Sequence, residues 1–475
     1  MAAHDAVVVG SGPNGLAAAV VLAEREHRVL VLEAAGTIGG GTRTAELTLP
    51  GFRHDVCSGF HPLGAASPLF DRLPLERLGL RWIVPEVQLA HPFDDGGAAA
   101  LWRSLDRTCE GLGDDSDLWR RAVGRIATGW DDFAARALKP LARRPWPAPG
   151  SFRAALPAAV FARRFRTPAG RALFAGLAAH AMVPLETPGT AGIGLVLGAL
   201  AHVGGWPIAE GGSDAISQAL AGHLEALGGS VRTGHPVRTP ADIPGAKAVL
   251  FDTHPRTLVA VYGRKALGRT AHRRIRRYRG GAASYKIDYA LDGPIPWTAR
   301  ECRRAGTVHV GGTYGEIAGA ERSVAEGAVP DRPFVLVGQQ SLFDPARAPD
   351  GQHTAWVYTH VPSGSTEPVR ERVERRIERF APGFRDLVLA ARVTAPLDFE
   401  SYNPNYPAGD TATGAHSLRR MLGRPGPFRN PYRTGIPGVF LCSAATPPGP
   451  GVHGMCGANA ALAAIRDRLE GGRRP

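Results

Sequence analysis

Lysine is nearly missing from this chain. Lys139, Lys247, Lys265 and Lys286 are the only four, so arginine carries almost all of a net charge of +13. With alanine, glycine and proline so abundant, that bias reads as the imprint of a GC-rich genome and not as a nucleic-acid footprint. Attraction to an anionic membrane surface or an acidic partner is the alternative. Cysteine is sparse too. Cys57, Cys109, Cys302, Cys442 and Cys456 are odd in number, far apart and free of CxxC spacing. That argues against a redox-active disulfide or a structural zinc and predicts reduced thiols in a cytoplasmic setting. The 16 histidines show no ligand spacing such as HxxxH with a carboxylate, so no metal is expected. Clean apolar runs are lacking as well. Residues 187–209 are uncharged and long enough to span a bilayer, but Pro188, Gly189, Gly192, Gly194, Gly198, Gly204, Gly205 and Pro207 interrupt them. A buried helix lining an apolar cavity is predicted there, and no transmembrane segment. The chain enters its first strand at once, without a signal peptide in front, and shows no internal repeat.

What is present is an ordinary globular composition. At 475 residues, with 21% charged and 44% hydrophobic, the chain can bury a large core and is expected to form two domains. The most informative stretch is residues 6–33. A short apolar strand runs into Gly10-Ser11-Gly12-Pro13-Asn14-Gly15, a helix-forming segment follows, and a second apolar run stops at Glu33. Gly10 allows a tight turn, Gly12 lets backbone approach a pyrophosphate, and Gly15 lets the helix lie close on the strand. The free N–H groups at the helix start hold phosphate oxygens. Glu33, about 20 residues on, is placed to accept a ribose hydroxyl. This predicts a dinucleotide site.

Further along, Ile38-Gly39-Gly40-Gly41-Thr42-Arg43-Thr44 is a second place where backbone can lie close to a ligand, with Arg43 reaching a phosphate or a ring; a plain flexible loop is the other reading. Residues 91–102 read as a hairpin turning at Asp94-Asp95-Gly96-Gly97. Helical pattern replaces strands from residue 105 to about 202. Within it, residues 151–171 interleave Phe152, Leu156, Val160, Phe161 and Phe165 with Arg153, Arg163, Arg164, Arg166 and Arg171. They read as a solvated helix face over a core, or as a segment lying on a membrane. An amphipathic helix carrying Ile216, Leu220, Leu224 and Leu227 then leads into a strand around residues 230–237, and α/β pattern returns. Residues 270–279 form an arginine cluster, expected on a solvated helix face. Strands at 283–291, 307–311, 334–339 and 354–361 predict a second, mixed sheet, and 370–380 a charged helix. Near the C-terminus a strand at 439–442 precedes a Gly- and Pro-rich stretch and an alanine-rich helix.

On these residues the chain resembles the flavin-dependent phytoene desaturase superfamily, closest to the branch of the pyridine nucleotide-disulfide oxidoreductase domain-containing protein 2. Gly10, Gly12, Gly15 and Glu33, the glycines 39–41, Gly205-Trp206-Pro207 with Gly211-Gly212, the segment 332–353 and above all residues 441–461 carry the likeness, which runs from end to end. The resemblance implies an α/β fold: a discontinuous Rossmann-type FAD-binding domain (1–104, 205–255 and 396–475) with an α+β substrate domain (a helical insertion at 105–204 and a mixed sheet at 256–395). It implies a bound FAD, with Gly10, Gly12, Pro13, Asn14 and Gly15 at the pyrophosphate, Glu33 at the ribose, and Gly40, Gly41 and Arg43 beside the cofactor. Val237 would meet adenine, and Gly454 and Met455 the flavin ring. One departure stands out: Gly39-Gly40-Gly41-Thr42-Arg43 replaces the Gly-Gly-Arg of many relatives. The implied activity is desaturation of a lipophilic, isoprenoid-like substrate, with oxygen or a quinone as acceptor. The alternatives are a flavin amine oxidase, against which no lysine lies in the stretches expected near the flavin, and a flavoprotein with an isomerising or non-catalytic role. His61, Tyr402 and His453 are the candidates for accepting a substrate proton. A contact with a membrane surface and a cytoplasmic location complete the expectations; the oligomeric state is open.

Overall fold

Alternation along four short strands explains the first half of the architecture. In the computed structural model, which describes residues 4–139, 151–278, 280–414 and 430–470, the strands β1 (Ala6–Val9), β2 (Val29–Leu32), β9 (Ser230–Arg232), β10 (Ala248–Phe251) and β16 (Val439–Leu441) form an all-parallel sheet in the order β16-β10-β1-β2-β9. Ala6 and Val8, Val29 and Val31, Ala248 and Leu250 point to one face, where α1 (Pro13–Ala23) and the helices Asp214–Ala226 and Met455–Ala464 cover them. Val7 and Val9, Leu30 and Leu32, Val249 and Phe251 point to the other, under the helix Arg256–Arg277. Both faces are therefore dry, as a parallel sheet requires. The arginine-rich helix belongs to this sheet and not to the substrate domain that a boundary at residue 256 implies. Its Leu258, Val261, Leu267 and Ile275 are buried on the sheet, while Arg264, Lys265 and Arg273 face outward.

The second sheet has seven strands in the order β15-β11-β14-β13-β12-β6-β7. These are β6 (Val87–Pro92), β7 (Ala98–Trp102), β11 (Ala283–Leu291), β12 (Ala305–Val310), β13 (Val335–Gly338), β14 (His353–Val361) and β15 (Val388–Thr394). All neighbours are antiparallel except β12 and β6. The expected hairpin forms, but it joins this sheet rather than the cofactor segment 1–104, because β6 finds its partner in β12. Two-stranded ladders, β3 (Thr44–Glu46) with β4 (Arg53–Asp55) and β5 (Trp82–Ile83) with β8 (Ile208–Ala209), link the two sheets.

The strand after the amphipathic helix ends at Arg232 and not at Val237: the backbone turns at Gly234, whose N–H bonds Ala35, and Val237 follows in a loop. Helix Thr190–Val203 occupies the uncharged stretch and is buried on one side; no helix among the described residues is long and apolar enough to cross a membrane. In residues 151–171, Phe161 and Phe165 are fully buried against Trp119 and Phe174, which leaves Val160 as the exposed large hydrophobe. The side chain of Phe152, and Arg279, lie outside the described residues.

Candidate active site

The two sheets meet at a cavity of about 740 Å³ that runs from the Gly10–Gly15 turn to the open face of the seven-stranded sheet. At its first end the main chain does the positioning. Gly10 has φ +102°, a conformation that a side chain would strain, and its N–H bonds Leu32. Gly39, at φ +114°, starts the second glycine turn, and a Cβ on Gly40 would stand 3.1 Å from the Gly12 Cα. The two turns thus close on each other, and Gly10, Gly12, Pro13, Asn14, Gly40 and Gly41 all line the cavity. Gly15 sits behind them, with no room for a side chain against the Gly10 carbonyl.

Glu33 lies at the end of β2 and lines the cavity as the spacing predicts. Its Oε2 accepts from the Ser11 N–H (2.9 Å) and hydroxyl (2.6 Å), and its Oε1 from Ala35 (2.9 Å) and Arg43 (3.4 Å). Arg43 is anchored to the Thr37 carbonyl at 2.7 Å and donates to the Tyr402 hydroxyl at 3.4 Å. Val237 is in the wall with His235 and Pro236. At the C-terminal stretch, Pro450, Gly451 and Val452 form the wall. A Cβ on Gly454 would meet Ala17, Leu69 and Phe70 at 2.9 Å, and Met455 sits against two apolar clusters, so the start of that helix is held by α1.

The candidate proton acceptors separate. His61 is buried with Nε2 on the Ser213 hydroxyl at 2.8 Å and Nδ1 on Ser58 at 3.4 Å, and burial lowers its pKa to about 4. His453 accepts the Met455 N–H at 3.0 Å, and its carbonyl accepts from Ser67. Neither is among the residues that line the cavity. Tyr402 lines the cavity at its rim and is 40% exposed.

Three features escaped sequence reasoning. Lys286 on β11 lines the second end of the cavity and is fully buried, contacting Asp288 two residues along the same strand face. Burial raises the Asp288 carboxyl to about 6, against the pull of Lys286. His54 stands 3.5 Å behind it. Lys286 lies in a stretch without a motif. His180 also lines the cavity, its Nε2 bonded to His309 Nε2 at 3.1 Å, and burial holds its pKa down to about 3. Asp252, at the end of β10, faces the glycine turn. Its one signal was its place directly after an apolar strand. The rest of the second end is apolar and aromatic, with Phe60, Leu197, Trp206, Leu336 and Trp356 in the wall. No group of three or more metal-ligating side chains occurs among the described residues.

A family model for an NAD(P)-binding Rossmann-like domain matches residues 8–73, which span β1, α1, β2 and both glycine turns. The chain is 26% identical over 560 aligned residues to the mouse (Mus musculus) pyridine nucleotide-disulfide oxidoreductase domain-containing protein 2, covering 98% of this chain and 94% of that one. A shorter match, 32% identical over 108 residues, covers 23% of this chain and 19% of a limonene dehydrogenase chain from Castellaniella defragrans. Among solved structures, putrescine oxidase bound to putrescine superposes with a TM-score of 0.62 at 17% identity, over 97% of this chain and 98% of that one. The chain shares its fold with putrescine oxidase.

Proposed function

We propose that this chain is an FAD-dependent oxidoreductase that dehydrogenates a neutral, lipophilic substrate of isoprenoid type. The observation that carries the reading is one continuous cavity: one end is built from glycine backbone, helix-start N–H groups and an acid, the other from aromatic and aliphatic side chains. Its volume suits an elongated cofactor with a substrate beside it. The residues fit FAD. The glycine turns leave space for a pyrophosphate, Glu33 is held by Ser11 and Ala35 in the wall where it would meet a ribose, and the buried Asn14 Oδ1 has no partner of its own. When bound, FAD supplies a hydride acceptor for a C–H bond.

The chain's own side chains do the rest. Leu197, Trp206, Leu336 and Trp356 keep water from the substrate end and orient an apolar chain. The carboxylates in the wall, Glu33 and Asp252, both sit at the dinucleotide end, and the cation at the other end is Lys286. An ammonium substrate would meet like charge there, whereas a hydrocarbon needs no counter-ion. The partial match to a limonene dehydrogenase chain supports the same class. Likeness to putrescine oxidase favours amine oxidation as the second reading. Oxygen or a quinone is the acceptor class, and a membrane surface the source of so apolar a substrate.

Anaerobic mixing of the FAD-loaded protein with limonene and with putrescine tests the reading. Bleaching of the flavin band by the terpene alone supports it, bleaching by the diamine alone supports the second, and a spectrum inert to both points to a non-oxidative flavoprotein.

A further inference from the structure

Asp252 stands on the floor of the dinucleotide end, directly after β10. Its Oδ2 accepts the Gly15 N–H at 2.8 Å, and a Cβ on Gly12 would lie 2.6 Å from that oxygen. The glycines thus admit the acid to the turn as well as a ligand. A carboxylate here occupies one of the helix-start N–H groups that an anionic ligand uses, and it lines the same cavity.

The groups around it do not neutralise a charge. Glu33, at the end of β2, adds a second carboxylate, and Arg43 on that wall bonds Glu33. His254, two residues on, is held neutral by burial, with a pKa near 4. Cys442, directly after β16, and Tyr406 are both pushed up by burial and stay protonated. Burial first, then Glu33, raise the Asp252 carboxyl to about 7, and the Gly15 N–H pulls the other way without winning.

We infer that Asp252 belongs to the dinucleotide site and works there as an uncharged acid, so that an anionic pyrophosphate arriving at the Gly10–Gly15 turn fixes a proton on its carboxyl group. The inference rests on the FAD reading and adds to it a proton bound with the cofactor. Linkage sets the sign. Below neutrality the acid already carries its proton and affinity is flat. Above it each FAD bound takes up a proton, and affinity falls towards tenfold per pH unit.

Calorimetric titration of FAD into the full chain stripped of flavin, at about pH 8 in two buffers of different ionisation enthalpy, counts that proton. Wild type should take up close to one proton and Asp252→Asn close to none, with the variant binding about tenfold tighter than wild type at that pH and equally well near pH 6. Asp252→Ser, also neutral and polar, covers the case in which the asparagine variant fails to fold. Equal proton uptake by wild type and variant, or a wild-type affinity that ignores pH, overturns the inference. Failure of every form to bind FAD at any pH strikes the cofactor reading instead.

Discussion

The two ends of the cavity are built by different means. At the parallel sheet, main chain does the work: two glycine turns touch, an acid is tied down by three backbone or near-backbone donors, and side chains are small or absent. At the seven-stranded sheet, side chains do it. Ser284 and Lys286 reach the cavity because β11 turns alternate residues towards it, while Tyr285, Ile287 and Tyr289 fill the core behind. Backbone sites tolerate few substitutions and serve one ligand shape. Side-chain sites can be rewritten position by position without disturbing the fold. Such a division lets one scaffold carry different chemistries.

The junction between the halves is the first place to break this contrast. Arg347 is fully buried, 3.1 Å from Asp55 and 2.8 Å from Asp344, and it also bonds the Ala209 carbonyl. Those two acids in turn hold Ser213 and Gly211. Arg347→Ala leaves two uncompensated carboxylates and should lower stability by about 3–5 kcal/mol in urea unfolding, weakening both ends together. Lys286→Met should cost about 3 kcal/mol, because Asp288 loses its ammonium partner. It should leave FAD affinity unchanged while substrate turnover falls, which separates the ends cleanly; equal loss of both would erase the distinction.

Gly12→Ala is the converse. Its Cβ meets Asp252, an overpacking of about 1–3 kcal/mol. Fluorescence titration should show FAD binding about tenfold to a hundredfold weaker, with the core of the seven-stranded sheet unaffected in hydrogen exchange. The remaining effect is read in acid. His54 and His61 stay neutral in the native chain down to about 3 and about 4, while the unfolded chain protonates near 6.5. The unfolded state binds more protons in that window, so stability falls as pH drops below 6.5, by up to about 1.4 kcal/mol per unit for each histidine. His61→Gln should flatten the slope measured by thermal unfolding.

Much of the parallel sheet was legible because its features are local. The turn, the helix that follows and the acid at the end of β2 all fall within 28 consecutive residues, and a short-range backbone requirement leaves a spaced pattern. The strands of the second sheet other than β15 and most of β6 were legible too, to the residue at β11, because β-branched and aromatic runs mark a pleated, half-buried surface. Their partners were not. The hairpin read at 91–102 falls within the cofactor segment 1–104 yet pairs into the seven-stranded sheet, and helix 256–277 docks on the parallel sheet, since pairing and docking depend on what lies across the interface.

The sequence by itself determined the glycine backbone, Glu33 and the alternation of buried strands, each the product of contacts between near neighbours in the chain. Tertiary structure alone decided which chemistry faces the ligands. It set Asp252 against Gly15 across 237 positions and His180 against His309 across 129, and it left His61 and His453 outside the cavity wall. A side chain's role there follows from its burial and its partners, and neither is written in the spacing of residues along the chain.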